Sequence, residues 1–154
     1  MDAILNIIKA FIANASLDSP YTDMELQKIA IAVANLLIPE FGYNQEFHVD
    51  FSNFIIVPDP DPSNQQHNMF INLVALKAVI NLSKAEAKKF AIQGKIKVSD
   101  SPASVEISDR YQSMQTLVKN LEEEYYNLKY SYMFHGNLGG YSPQAIYNLG
   151  RRIC

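Results

Sequence analysis

Residues 109–134, DRYQSMQTLVKNLEEEYYNLKYSYMF, decide the fold. Tyr111, Met114, Val118, Leu121, Tyr125, Leu128 and Tyr132 follow one another at steps of 3, 4, 3, 4, 3 and 4. Only a helix brings that spacing onto one face, and the result is a heptad seam. Such a helix, capped at Ser108, spans about 39 Å and must lie along another helix, in its own bundle or in a neighbouring copy. The partner within the chain is residues 69–82, MFINLVALKAVINL, apolar nearly all round and therefore a central buried helix.

Working outward, two further helices are legible. Over residues 2–14, Ile4, Ile7, Ile8, Phe11 and Ile12 form one stripe of a 3.6-residue period. Thr22 and Glu25 make a capping box that opens a helix to about residue 38, with Leu26, Ile29, Ala30, Val33 and Leu37 inward and Pro39 and Gly42 as its stop. A second capping box, Ser83 and Glu86, reads as the start of a short basic helix that Gly94 ends. Residues 46–57 have strand chemistry, and Pro58, Pro60 and Pro62 alternating with Asp59 and Asp61 make 46–66 read as a strand followed by an extended surface arm. Residues 95–107 read as a β-hairpin turning at Asp100-Ser101-Pro102-Ala103. The expected fold is mainly α: a small helical bundle over 1–136 with a long C-terminal helix and a hairpin, then an extended arm over 137–154.

At 154 residues and 17.4 kDa the chain has the length of one domain, and 48% hydrophobic against 19% charged residues is enough to bury a core. The net charge of −3 argues against a strongly basic nucleic-acid binder. A single cysteine, Cys154, excludes a disulfide framework, a cysteine-rich zinc cluster and a CxxC redox site. Ala13-Asn14-Ala15 looks like a signal-peptidase site, but Asp2 occupies the place of the basic n-region, and Asn6 and Lys9 interrupt the apolar run. No apolar run approaches the ~20 residues that cross a bilayer, so the expectation is a soluble protein without a targeting segment.

Candidate chemistry is thin. His48 and Asp50 share a strand face with Glu46, a metal or acid–base arrangement on one reading and a solvated strand face on the favoured one, since no further His or Cys stands at ligand spacing. His67 and His135 are isolated; Pro60 between Asp59 and Asp61 prevents the curvature of a calcium loop. Gly136, Gly139 and Gly140 follow a helix and open none, unlike a phosphate loop. The expectation is no catalytic residue, no cofactor and no metal site. Surfaces are more informative. Tyr126 and Tyr130 lie off the seam and suit an interface, and the terminal arm carries Leu138, Tyr141, Ile146, Tyr147, Leu149, Arg151 and Arg152, which suit a partner's surface. Residues 1–70 hold nine acids and two bases; residues 71–154 hold seven acids and eleven bases. That split either pairs internally or lets Lys88 and Lys89 of one subunit meet the acidic half of the next.

The run INLVALKAV (71–79), the short helix after it, KIKVSDSPASVEIS (95–108) and a long helix opening DRYQSM (109–114) resemble the head–tail connector, or adaptor, proteins of tailed bacteriophages. The resemblance covers residues 69–140 best and the N-terminal helices only by order and size; the 46–66 segment is longer than it requires. It implies a structural virion protein of the phage neck, made in the host cytoplasm. Its subunits would form a homo-oligomeric ring, typically twelve-fold, beneath the portal. The ring continues the DNA channel without specific DNA binding, docks the next neck or tail protein, and touches the portal through the terminal arm. The alternatives are a helical adaptor that dimerises through the 111–132 seam outside any phage, another neck or head-completion protein, and, least favoured, a metal enzyme using His48 and Asp50. Removing residues 137–154 is expected to leave helix content intact by circular dichroism while abolishing assembly by sedimentation.

Overall fold

The computed structural model describes residues 1–14, 21–43, 46–96 and 103–136. Among them are four helices and one two-stranded sheet: α1 (Asp2–Asn14), α2 (Asp23–Glu40), β1 (His48–Asp50), β2 (Ile55–Val57), α3 (Gln65–Ile96) and α4 (Ala103–Gly136). The mainly helical class read from the sequence holds.

The capping box of α2 forms as its sequence requires. Thr22 Oγ1 accepts from the Glu25 amide at 3.3 Å, and Glu25 Oε2 accepts from the Thr22 amide at 2.8 Å. The helix ends at Glu40, two residues past the expected stop: Pro39 sits inside the last turn, and the reversal comes at Gly42, whose φ of +75° favours glycine. Ile4 and Ile8 of α1 and Leu26, Ala30, Val33 and Leu37 of α2 are buried against α3.

The second capping box does not form, because α3 is one helix of 32 residues. The apolar phase of 69–82 continues without a break through Ser83, Glu86 and Ala87, which are all buried, so packing overrides the local start signal. Ser83 Oγ is buried without a hydrogen-bond partner, while the Glu86 carboxylate accepts from Tyr21 and Lys89. Gly94 does not end the helix either. The expected hairpin at 95–107 is contradicted where the structure describes it: residues 95–96 are the end of α3 and 103–107 the start of α4. Residues 97–102 lie outside the described residues. Alternation over four or five residues is too short to separate a period of 2 from one of 3.6, and each segment continues a long helix. α4 accordingly starts six residues before the expected Asp109.

α3 and α4 pack antiparallel: the Lys77 ammonium lies 4.8 Å from the Tyr125 ring centroid, and Lys84 Nζ meets Glu122 Oε1 at 2.5 Å, so position rises along one helix as it falls along the other. The seam of α4 is satisfied within its own chain. Leu121 and Tyr125 are buried, with Leu117, Leu128 and Tyr132 packed beside them, while Tyr111, Met114 and Val118 are half-buried. α3 spans about 48 Å and α2 about 27 Å, so the α3–α4 pair outreaches the helices that cover it. Among the described side chains of α3, the buried ones run from Phe70 to Ala87.

The base of that pair is locked by aromatic rings. Phe47 stacks on Phe70 with centroids 5.0 Å apart, Tyr43 leans on Phe70 at 5.1 Å and on Tyr132 at 5.6 Å, and Phe41 meets Tyr132 edge-on at 5.1 Å. The strand expected over 46–57 is a hairpin of its own, β1 antiparallel to β2 with Val49 opposite Ile56. The Pro-Asp stretch runs over the surface but does not reach out as an arm. Pro60 is buried, Asp59 pairs with the Met1 ammonium, and Asn64 Oδ1 accepts from the Gln66 amide at 2.9 Å to cap α3.

Replacing Phe70 by Ala is expected to cost about 3–5 kcal/mol, because the rings of Phe47 and Tyr43 both lose contact with it. Urea denaturation checks this; a loss below 1 kcal/mol, about the cost of an ordinary surface substitution, would mean the cluster does not lock the base.

Candidate interaction surface

The structure disperses the candidate chemistry. His48 is exposed on β1, and Asp50 is the last residue of that strand, where its carboxylate accepts from Asn53 Nδ2 at 2.7 Å and from the Ser52 and Asn53 amides at 2.9 and 3.2 Å. Those bonds, from the Asn53 side chain first, hold the Asp50 carboxyl below its ordinary range. Glu46 is exposed ahead of β1. His67 Nδ1 accepts from the Asp61 amide at 3.2 Å and its ring meets Phe47 at 4.9 Å, a structural use. Among the described residues no group of three or more His, Cys, Asp or Glu stands together in a way that could hold a metal.

What the fold does assemble is a pair of grooves on either side of α3. Between α3 and α4 runs an open groove of about 740 Å³, walled by Lys84, Ala87, Lys88 and Ala91 on one side and by Gln115, Lys119 and Glu122 among others on the other. Lys84 and Glu122 bridge it, and Lys88 and Lys119 make no ion pair among the described residues, so the groove carries net positive charge. Lys88 and Lys89 part company. Lys89 turns to Glu86 at 2.6 Å, and Tyr21 donates to the same carboxylate at 2.6 Å.

Tyr126 and Tyr130 are half-exposed as the sequence suggests, at 50% and 56%, and with Met133 at 40% they stripe the flank of α4 that also carries Lys119 and Glu122. The Tyr126 ring rests edge-on against Tyr125. Burial, with smaller contributions from Glu40 and Tyr126, pushes the Tyr125 phenol up to about 12. The arm residues Leu138, Tyr141, Ile146, Tyr147, Leu149, Arg151 and Arg152 lie outside the described residues. Of the ion pairs, Lys129–Glu40 joins the acidic and basic halves of the chain, Lys9–Asp23 stays within the first, and Lys84–Glu122 and Lys89–Glu86 stay within the second.

The second groove was not anticipated. It is about 360 Å³, lies between α2 and α3, and is lined by Ile29, Ala32, Val33, Leu36, Leu82 and Ala85 with Asn81 at its edge. Leu36 is 67% exposed at its rim. The signal was present: residues 29–38 contain one polar residue, Asn35, and so are too apolar for a helix with a single inward stripe. The two grooves share the exposed ridge Asn81, Lys84, Ala85 and Lys88, spaced i, i+3, i+4 and i+7.

No protein-family profile, curated protein or solved structure matches the chain. No described helix is long and apolar enough to cross a membrane.

The Glu86 cluster gives a pH test. Burial pushes the Glu86 carboxyl up, but donation from Lys89 and Tyr21 outweighs it and holds the group below its ordinary 4.5. A carboxyl lowered by folding stabilises the fold above its unfolded value, and that stability is lost as pH falls through the folded value. Tyr21→Phe is therefore expected to cost about 0.5–1.5 kcal/mol at neutral pH, with the difference from wild type shrinking as pH drops below about 4. Urea unfolding at both pH values measures it; an unchanged difference would show that the hydroxyl does not serve the carboxylate.

Proposed function

We propose that the chain is a self-assembling structural subunit, of the kind found in the neck of a tailed phage, forming a ring that joins portal to tail and lets DNA pass through its lumen. The observation that carries this reading is the pair of adjacent open grooves, one apolar and one lined by lysines, with Leu36, Tyr126, Tyr130 and Met133 exposed around them. Large apolar side chains clustered at concave surfaces mark sites of protein contact. In support of it, INLVALKAV forms part of the buried helix α3 and DRYQSM part of the long helix α4; the separate short helix after 71–79, a long helix opening at DRYQSM and a hairpin over the 95–107 segment do not follow the connector resemblance.

That helical segment favours a second reading, an oligomerising helical adaptor outside a phage or another neck or head-completion protein. A dimer through the 111–132 seam is disfavoured in either case, because Leu121 and Tyr125 already spend it on α3. Locating the chain in purified particles by electron microscopy separates the readings. Phage-neck density containing it supports the first, and its absence from every particle overturns it.

Two consequences follow in solution. Association between subunits is expected to weaken with salt, since exposed charges are screened over about 10 Å at 0.1 M ionic strength, and Lys88→Glu is expected to impair it with helix content unchanged. The isolated protein is also expected to show no measurable affinity for duplex DNA at physiological salt. Micromolar binding with a steep salt slope would instead assign Lys84, Lys88 and Lys119 to gripping phosphates.

A further inference from the structure

The tip of the β1–β2 hairpin, residues 50–54, presents an apolar side chain to water on a firmly held turn. Phe51 is 56% exposed there. Phe54, three residues on, has a φ of 54°, a left-handed conformation that bulky residues rarely adopt. It is kept in place from α2: Gln27 Nε2 donates to its carbonyl at 2.9 Å, and the Lys28 ammonium lies 5.3 Å from its ring centroid. Beside Phe51, the Asp50 carboxylate is fixed by Ser52 and Asn53, so the tip carries an acid next to the aromatic ring.

The α2–α3 groove is the complement. Its lining is apolar apart from Asn81, and on the ridge that bounds it Lys84 and Lys88 stand within one helical turn of Ala85. No copy can bring its own tip there. Gln27 and Leu36 are nine residues apart on α2, two and a half turns at 3.6 residues per turn, so the tip and the groove face opposite ways.

We propose that Phe51 of one copy seats in the α2–α3 groove of the next, under Leu36, with Asp50 facing Lys84 and Lys88. The inference rests on the reading of the chain as a self-assembling subunit and names the two faces that meet. A contact between different patches on opposite sides of a subunit is head-to-tail. It closes into a ring where the rotation between subunits divides a full turn, and otherwise runs on as a filament. The charges set its register, and the aromatic ring supplies the anchor.

The test uses full-length chains and needs no other component. Phe51→Ala and Leu36→Lys alter exposed side chains, so both variants are expected to keep wild-type circular dichroism. Each is expected to lose the concentration-dependent association that wild type shows in analytical ultracentrifugation, with at least a tenfold weaker constant. Mixed one to one, they are expected to form a dimer and nothing larger, because only the intact tip of one and the intact groove of the other can pair. In a Cys154→Ser background, Phe51→Cys and Leu36→Cys chains are expected to cross-link to each other on oxidation in preference to themselves. If wild type associates while both variants associate equally well, or the mixture fails to give the dimer, the proposed contact is overturned and self-assembly through another face stands. If wild type stays monomeric at all concentrations and the cysteine pair does not cross-link, the contact and the self-assembly reading fall together.

Discussion

Covering α3 is the constraint on which the rest of the molecule depends. Phe70, Ile71, Leu73, Val74, Ala75, Leu76, Ala78, Val79, Ile80 and Leu82 are all buried, so this helix presents apolar surface in nearly every direction along more than three turns. One neighbouring helix shields one stripe of it. Hiding the whole circumference therefore calls for α1, α2 and α4 together, and each of them is amphipathic in the sense that its buried stripe faces α3. Burial at roughly 25 cal/mol per Å² of apolar surface makes this the dominant stabilising interaction of the bundle.

The aromatic cluster resolves a secondary problem created by that arrangement. α2 ends, the chain turns through Gly42 and enters β1, and this turn must be tied to the start of α3 and the end of α4. Tyr43 does so with both ends of its side chain: its ring contacts Phe47, Phe70 and Tyr132, and its hydroxyl donates to the Gln66 carbonyl at 3.1 Å. Burial, helped by Tyr132, raises its pKa, so the phenol stays protonated and keeps that donor. The absence of tryptophan is made good here by tyrosine and phenylalanine packed at close range.

How much of this was legible in the sequence depended on the length over which a pattern could be read. The seven seam positions of α4 and the run 69–82 gave the helices and their mutual packing, because a period sustained over many residues has one explanation. The Thr22–Glu25 box was read correctly, since Tyr21 and Thr22 are not helical; Ser83–Glu86 has the same capping chemistry and failed because it lies inside a helix already in phase. The 95–107 hairpin was inferred from alternation too brief to exclude two helix ends. Of the candidate surface, Tyr126 and Tyr130 were singled out from their positions off the seam, and Lys88 from the charge split between the two halves of the chain. Leu36 and the α2–α3 groove were missed, because a groove depends on how two helices lie side by side, which neither helix's sequence states alone. Lys89 was paired with Lys88 by adjacency, although neighbours on a helix point about 100° apart and here serve different partners.

The overhang of α3 and α4 beyond the shorter helices has a mechanical consequence. Two long helices gripped near one end by packed rings, with residues 88–92 of α3 no longer buried, behave as a cantilever. A tilt of a few degrees at the aromatic root is multiplied by the free length into a displacement of ångströms at the far end, with no bond in either helix broken. Stiffness at the root then governs how far the far end travels under load. Trimming a ring at position 43, 70 or 132 would soften the whole beam from a site remote from its tip.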